Sequence, residues 1–303
     1  MKVSFSCPLT RTSGKQIFVC RLCDSLMKKG IKITDKKPNI NVVIVKGSRP
    51  GCKNILRLDG IWMNSDDKDL KSKNKKIRNL IKSCDGVIYQ NSFCKESSDK
   101  IIGVSSNKYA IIGNGIDPSE VNIDSNFSNS KPFFMAMCKW RPHKRYSEIA
   151  KGFLASGLDK DFDLIVFGDP ENAINHPSIK HFGSVSNKIL LQALSKCSGT
   201  AHLAYVDWCP NSVVESIIAK KPVLHTTSGG TKLIVKQDGV CVKEIEEWQF
   251  NVTKLYNPPP LNIDEIGQGF KKLLDVPVIG DRKDLHIDTI ADQYIEFFRK
   301  ILN

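Results

Sequence analysis

The stretch TAHLAYVDWCPNSVVESIIAKKPVLHTT, Thr200–Thr227, decides the fold because it contains a complete strand–helix–strand unit. Two apolar runs, TAHLAYV and PVLHTT, flank a short helical pattern. At about 100° per residue, that pattern places Val213, Val214, Ile217 and Ile218 on one side of a helix. Near-continuous apolar strands joined by a helix are typical of a parallel sheet that is covered on both faces.

The same alternation continues in both directions from this unit. In the first part of the chain we predict strands at 2–7, 41–46, 54–60, 86–90 and 109–113, and helices at 15–29, 70–83 and 92–102. In the second part we predict strands at 133–138, 163–168, 179–183, 200–206, 222–227 and 239–242, and helices at 146–155, 187–196, 210–219 and 263–274. The chain is therefore predicted to be α/β, with doubly wound parallel sheets.

A polar segment at 114–132, rich in Asn, Ser, Asp and Pro, interrupts the alternation. It predicts an N-terminal Rossmann-like domain at 1–125 and a C-terminal Rossmann-like domain at 126–285, facing each other across a cleft. A long amphipathic helix at 286–303 is predicted to cross back to the N-terminal domain. Ligands of such sheets bind outside the carboxyl ends of the strands, so the loops that follow strands are the places to search.

The charge of the chain favours an anionic partner. Among 303 residues, 45 are Lys or Arg and 32 are Asp or Glu, which gives a net charge of +13. Nucleic acid, anionic lipid and a phosphorylated small molecule all fit this excess, and the charge does not choose among them.

Ten cysteines are scattered along the chain, several of them inside apolar runs, as expected of reduced, buried thiols. Cys20 and Cys23 have metal-like spacing, but a second pair is missing nearby and a structural zinc needs four ligands. We therefore predict no metal site. The sequence shows no apolar run long enough for a signal peptide or a transmembrane helix, so we expect a cytoplasmic protein.

Two loops that follow strands carry features suited to an anion. On the helix after Asp207, the polar residues Asn211, Ser212 and Glu215 share the side opposite the apolar one, close to a helix start that attracts phosphate. A solvated Glu and an ordinary cap is the alternative interpretation. After the next strand come Ser228, Gly229 and Gly230, where glycines let backbone amides approach an anion.

A basic turn follows the strand at 133–138. The sequence KWRPHKR brings five basic or titratable side chains together: Lys139, Arg141, His143, Lys144 and Arg145. Because they lie at the carboxyl end of a strand, they predict an anion site, with a solvated basic turn as the alternative.

These motifs resemble the nucleotide-sugar domain of retaining GT-B glycosyltransferases of family 4. That family has a basic residue and a lysine after the first strand of this domain, and KWRPHKR is similar, with Lys144 at the lysine position and Arg141 or Lys139 as the partner. It also has two acidic residues with seven between them, as in Asp207 and Glu215, followed here by SIIAKKPV. NGID at 114–117, the segment 181–199 and SGGTKLIV at 228–235 match further elements in order, so the resemblance spans 114–242.

The resemblance implies a GT-B transferase that uses a nucleoside-diphosphate sugar, such as a UDP- or GDP-sugar, and a glycan or lipid-linked acceptor, without a metal ion or another cofactor. Glu215 would hold the ribose hydroxyls, Asp207 would contact the transferred sugar, and Arg141 and Lys144 would neutralise the departing diphosphate. The remaining donor-binding candidates are Asn114, near the end of the first domain, and in the second domain Lys139, Arg145, Gly168, Asn211, Ser212, Ser228, Gly229 and Gly230.

The chain departs from the family pattern at several positions. Asp207 is one methylene shorter than the usual Glu, and WCPN replaces the small residues that follow it. Cys138 stands where the family has glycine before the first basic residue. Because the acidic pair is altered, a sugar-nucleotide-binding module without catalytic activity is an alternative interpretation of this chain.

Three further candidates lie in the first domain. Gly14 and Lys15 follow the first strand and either approach the donor phosphates or form a plain turn. Asp59 comes just past the apolar run NILRL at 54–58 and either lies near the acceptor or caps the next helix.

Other charged segments offer competing interpretations. The acid-x-acid pairs at 67–69 and 159–161 lie in Lys-rich polar stretches, which favours solvated loops over a metal site. The basic segment 67–83 predicts an amphipathic helix, either with a solvated face or in peripheral contact with an anionic membrane. A nucleic-acid role is not favoured, because no recognition module is recognisable and aromatic residues do not alternate with the basic ones.

Overall fold

The computed structural model describes residues 1–44, 47–121 and 125–303, and the chain forms two compact units. Unit 1 comprises Met1–Asp117, Phe250–Thr253 and Lys283–Asn303, and unit 2 comprises Pro118–Gln249 and Lys254–Arg282. Unit 2 thus begins earlier than the predicted boundary at 125, and residues 122–124 of the predicted linker lie outside the described residues. The return of Phe250–Thr253 to unit 1 has no signal in the sequence.

Unit 1 contains a six-stranded parallel sheet. In chain order its strands are β1 (Lys2–Phe5), β2 (Lys32–Ile33), β3 (Ile40–Val43), β4 (Lys53–Leu58), β5 (Gly86–Tyr89) and β6 (Tyr109–Ile111). They lie in the order β2-β1-β3-β4-β5-β6. The helices between them are α1 (Gly14–Lys28), α2 (Leu70–Ser83) and α3 (Ser92–Ile102). The last two residues of the strand predicted at 41–46 are not among the described residues.

Unit 2 contains a second parallel sheet of six strands. They are β7 (Phe133–Met137), β8 (Asp163–Phe167), β9 (Ile179–Gly183), β10 (Gly199–His202), β11 (Val223–Thr226) and β12 (Gly239–Val242). Its helices are α4 (Tyr146–Ala155), α5 (Asn187–Lys196), α6 (Asn211–Ile218), α7 (Thr231–Val235) and α8 (Ile263–Leu273). The strand order is β12-β11-β10-β7-β8-β9, which reverses between β7 and β10. Such a switch point opens a crevice at the carboxyl ends of the two strands, where ligands of doubly wound sheets bind.

The last helix, α9 (Ile287–Leu302), belongs to unit 1 and packs beside α1. Tyr294 and Phe298 of α9 share a buried apolar cluster with Phe18 and Leu22 of α1. A Cβ added to Gly86 would lie 2.8 Å from the Ile301 side chain, so α9 lies directly against the start of β5. The apolar face of α9 is therefore one wall of the core of unit 1.

All ten cysteines are free thiols. Cys20 and Cys23 are buried in α1, whereas Cys241 in β12 is exposed, contrary to the expectation that the cysteines are buried. Over the ranges 1–44, 47–121 and 125–303, no cluster of His, Cys, Asp and Glu could hold a metal ion. Within the same ranges, no helix has the length and apolar character required to cross a bilayer.

Candidate active site

An ion pair between Lys144 and Asp207 lies at the switch point of unit 2. Lys144 ends the 3₁₀ turn Pro142–Lys144 that follows β7, and Asp207 lies in the loop after β10. Because β7 and β10 are neighbours in the sheet, these loops meet at its carboxyl edge. The two side chains are 14% and 16% exposed, so the pair is largely shielded from water.

The carboxylate of Asp207 accepts hydrogen bonds at both oxygens. Lys144 Nζ and His202 Nε2 donate to Oδ2, the latter at 3.0 Å, and the backbone N–H of Trp208 donates to Oδ1 at 2.8 Å. Burial alone would raise the pKa of Asp207, but the charge of Lys144 and the hydrogen bond from His202 outweigh it and hold the pKa well below its usual range. Asp207 is thus a carboxylate at all physiological pH values. Sequence reasoning missed His202, whose signal is a titratable side chain within an apolar strand.

The glycine turn after β11 lies against the main chain of Asp207. Gly230 N donates to Asp207 O at 2.8 Å. At Gly229, where φ is +89°, an added Cβ would lie 2.9 Å from both the nitrogen and the oxygen of Asp207. Ser228 is buried beside them and accepts a hydrogen bond from Trp248 N at 3.5 Å. The structure therefore brings Ser228, Gly229 and Gly230 together with the Lys144–Asp207 pair.

Glu215 is buried in α6, with 5% of its surface exposed. The alternative interpretation, a solvated surface Glu, is therefore wrong. Helix α6 packs against β10, β11 and α7, and its residues from Val213 to Ile218 are all buried. Asn211 and Ser212 at its start remain partly exposed, and Pro210 before them provides no side-chain cap.

The basic turn divides into an outer and an inner part. Lys139 and Arg141 are exposed, and neither has an ion-pair partner among the residues that the structure describes. Arg145 is only 1% exposed, and its guanidinium donates to both carboxylate oxygens of Glu244 at 2.7 and 2.9 Å and to Pro259 O at 2.6 Å. The charge of Arg145 is thus paired with Glu244 inside unit 2, whereas the charges of Lys139 and Arg141 face solvent.

His143 is a neutral member of the same turn. Its ring is buried and stacks on Tyr256 with centroids 5.5 Å apart and planes 17° from parallel. Burial first, then the charge of Lys144, lowers the pKa of His143 to about 3. The positive charge of the turn therefore comes from its lysines and arginines.

Gly168 brings the loop after β8 against the loop after β7. Its φ is +86°, and an added Cβ would lie 2.2 Å from Cys138 O, so only glycine fits. A cavity of about 310 Å³ lies at these loops. It is lined by Trp140, Arg141, Pro142, Arg145, Tyr146, Ser147, Glu148, Pro170, Glu171, Asn172, Asn257 and Pro258.

The candidates of unit 1 lie at the carboxyl edge of its own sheet. Gly14 is the first residue of α1, which Ser13 caps, and Lys15 Nζ lies 3.4 Å from Asp59 Oδ2. Asn114 is buried after β6. Gly14 and Lys15 therefore lie in the first turn of a helix and not in a plain turn. Asp59 forms an ion pair with Lys15.

A buried arginine that sequence reasoning missed connects these residues. Arg57, in β4, forms an ion pair with Asp59 and donates to Asn114 Oδ1 at 2.5 Å. Its Nε donates to the hydroxyl of Tyr294 at 2.9 Å, and its guanidinium lies 4.3 Å from the centre of the Phe18 ring. The only sequence signal was a charged residue inside the apolar run NILRL.

No protein-family model matches this chain, and no curated protein matches it in sequence. Solved structures do match it over nearly its whole length. AviGT4, a glycosyltransferase involved in avilamycin A biosynthesis, is 15% identical, with 99% of this chain and 98% of AviGT4 aligned at a TM-score of 0.66. Anabaena HepE in complex with UDP is 12% identical, with 99% and 100% aligned at a TM-score of 0.65.

WaaG, a glycosyltransferase involved in lipopolysaccharide biosynthesis, is a third such structure. It is 12% identical, with 99% of this chain and 95% of WaaG aligned at a TM-score of 0.61. Together with the two parallel six-stranded sheets, these similarities confirm the predicted fold: the chain has the GT-B fold with two Rossmann-like units.

Proposed function

We propose that this protein is a glycosyltransferase that moves a sugar from a nucleoside-diphosphate donor to an acceptor hydroxyl. The observation that carries the proposal is the Lys144–Asp207 pair, seated on the Gly229–Gly230 turn at the switch point of unit 2. This is the part of a doubly wound sheet where nucleotides bind. HepE, one of the structures that share the fold, was crystallised with UDP and with UDP-glucose.

The donor diphosphate would meet fixed positive charge at this edge. Lys139 and Arg141 are exposed cations without ion-pair partners in the described part of the chain, and Lys144 lies beside them. The start of α6 adds backbone N–H groups and the positive end of a helix dipole. Such groups favour transfer because negative charge grows on the diphosphate as the sugar leaves.

Two acidic residues would hold the rest of the donor. Glu215, buried in α6, is proposed to accept hydrogen bonds from the ribose hydroxyls, as the family resemblance implies. Asp207 is proposed to contact the transferred sugar. A carboxylate that accepts two sugar hydroxyls binds them with charge-assisted hydrogen bonds, which are stronger than neutral ones.

The proposed reaction retains the anomeric configuration. The bond between the anomeric carbon and the diphosphate oxygen breaks, and the acceptor oxygen bonds to that carbon on the same face. The acceptor proton passes to the departing diphosphate. Because lysine and arginine side chains supply the positive charge, we expect turnover to continue in the presence of a chelator.

A panel of nucleotide sugars tests the proposal. UDP-, GDP- and ADP-glucose and their galactose and mannose counterparts are titrated into the wild-type protein by calorimetry, and nucleotide release is followed with and without EDTA. We expect one donor to bind, with Glu215→Gln and Lys144→Met each weakening it at least about tenfold, since each removes a charge-assisted contact. Lys196→Met is the matched control, because Lys196 is an exposed lysine in the last turn of α5.

The possible results separate the competing functions. Absence of binding by every nucleotide sugar, with tight binding of an oligonucleotide, would refute the proposal and favour a nucleic-acid role. Binding without nucleotide release in the presence of any acceptor would favour an inactive sugar-nucleotide-binding module.

A further inference from the structure

The oxygen Oδ2 of Asp207 is shared by two donors of different kinds. Lys144 brings a full positive charge, whereas His202 brings a ring N–H at 3.0 Å. A diphosphate at this edge would compete with Asp207 for the same ammonium group. The strength of the Lys144–Asp207 pair therefore affects how readily Lys144 can turn to a donor.

His202 is a fixed and uncharged partner of that carboxylate. It is the last residue of β10, buried, and paired in register with His225 of β11. Burial first, and then the charge of Lys144, lowers the pKa of His202 although Asp207 opposes this, so the ring is neutral at pH 7. Because a carboxylate only accepts, the hydrogen of this neutral ring lies on Nε2.

When Lys144 turns away, Asp207 needs another donor on Oδ2. The side chain is largely buried, and an unpaired buried carboxylate is costly. Trp208 N binds only Oδ1, so His202 is the described group that would remain on Oδ2. A neutral histidine can donate to Oδ2 without repelling the ammonium group of Lys144 and without cancelling the negative charge of Asp207.

We infer that His202 is a positioning residue of the donor site, which keeps Asp207 hydrogen-bonded so that Lys144 is free to exchange from Asp207 to the donor diphosphate. The inference rests on the proposed function. It adds a residue that neither the sequence motifs nor the family resemblance indicated. Without His202, Asp207 would keep Lys144 as the only donor to Oδ2, and the diphosphate would bind more weakly.

The test uses UDP, GDP or ADP, whichever binds the wild-type protein best, because a diphosphate without a sugar excludes effects on the sugar contact of Asp207. His202→Leu removes the donor, and we expect the dissociation constant to rise about tenfold or more. His202→Gln, whose amide nitrogen extends about as far as Nε2, should stay within about threefold of wild type. His202→Asn, whose amide nitrogen is too short to reach Oδ2, should behave like His202→Leu and serves if the Leu variant does not fold.

The Asp207→Asn background separates positioning from a structural role. With a neutral residue at 207, Lys144 has no competing carboxylate, so adding His202→Leu should leave the dissociation constant unchanged. An equal loss in both backgrounds would overturn the inference, as would a lower melting temperature with unchanged affinity. If no nucleotide binds the wild-type protein, the proposed function itself fails, whereas an effect of Glu215→Gln without one of His202→Leu refutes the inference alone.

Discussion

Tyr294 in α9 accepts a hydrogen bond of 2.9 Å from Nε of Arg57 in β4, so the last helix of unit 1 helps to hold the arginine that pairs with Asp59. Arg57 is buried, and its other nitrogens are directed at Asp59 and Asn114. Loss of the Tyr294 hydroxyl would leave a buried N–H without a partner. The candidate residues of unit 1 therefore depend on a helix that is distant in sequence.

Tyr294→Phe should lower the free energy of unfolding by about 1–3 kcal/mol, the cost of leaving a buried donor unsatisfied next to a charged group. Urea denaturation measures this change. Tyr109→Phe is the control, because Tyr109 is exposed and its replacement should stay within about 0.5 kcal/mol. Equal stability of the two variants would contradict the proposed dependence of Arg57 on α9.

Gly229→Ala should destabilise the protein more than Gly157→Ala. Both glycines have positive φ, so both variants suffer the left-handed penalty of about 1–2 kcal/mol. Only at Gly229 would the added Cβ also lie 2.9 Å from the main chain of Asp207, whereas at Gly157 no atom lies within 4 Å. We expect a further loss of about 1–3 kcal/mol at Gly229 in urea denaturation, together with weaker nucleotide binding.

The stability of the protein should fall as the pH falls from 7 to 5, and His143 should account for part of this fall. Burial lowers the pKa of folded His143 to about 3, whereas an unfolded histidine titrates near 6.5. Below pH 6.5 the unfolded chain binds a proton at residue 143 that the folded chain does not bind. The contribution of His143 to the free energy of unfolding is therefore fully present above pH 6.5 and is lost as the pH falls toward 3.

His143→Phe removes this titration and retains a ring that can stack on Tyr256. The difference in unfolding free energy between wild type and variant should change by about 2 kcal/mol from pH 7 to pH 5. Urea denaturation at pH 7, 6 and 5 measures it. Parallel pH profiles for the two proteins would show that His143 is not held neutral.

Removing one partner of the Arg145–Glu244 pair should lower the free energy of unfolding more than replacing both partners with apolar residues. Glu244→Leu leaves a buried guanidinium unpaired, so we expect a loss of about 3–5 kcal/mol in unfolding free energy. Arg145→Met combined with Glu244→Leu should lose less than Glu244→Leu alone, because both charges are removed. The exposed pair of Lys100 and Glu96 is the control, and Glu96→Ala should cost about 0.5 kcal/mol or less.

Hydrophobic runs and helical periodicity predicted the bounds of strands and helices well where the pattern is followed directly by polar or turn-forming residues. The strand Ile179–Gly183 and the helix Tyr146–Ala155 have the predicted bounds. Lys32–Ile33 was missed because two residues have no period. The helical wheel of α6 placed Glu215 on the polar side, yet it could not tell that Glu215 is buried like the apolar residues around it.

Contacts between distant segments were beyond the sequence patterns. His202 and Arg57 each read as one polar residue in an apolar strand, and the pattern does not say which loop each side chain reaches. For His202 the answer depends on the position of β10 next to β7, which brings Lys144 to Asp207. For Arg57 it depends on α9, far along the chain.

The membership of α9 in unit 1 also bears on the order in which the chain folds during synthesis. Every residue of unit 2 precedes α9, so the core of unit 2 can close while unit 1 still lacks the wall that α9 supplies. Until residues 287–302 arrive, Phe18 and Leu22 of α1 have no Tyr294 or Phe298 to pack against. We therefore expect unit 1, whose synthesis begins first, to complete its folding after unit 2.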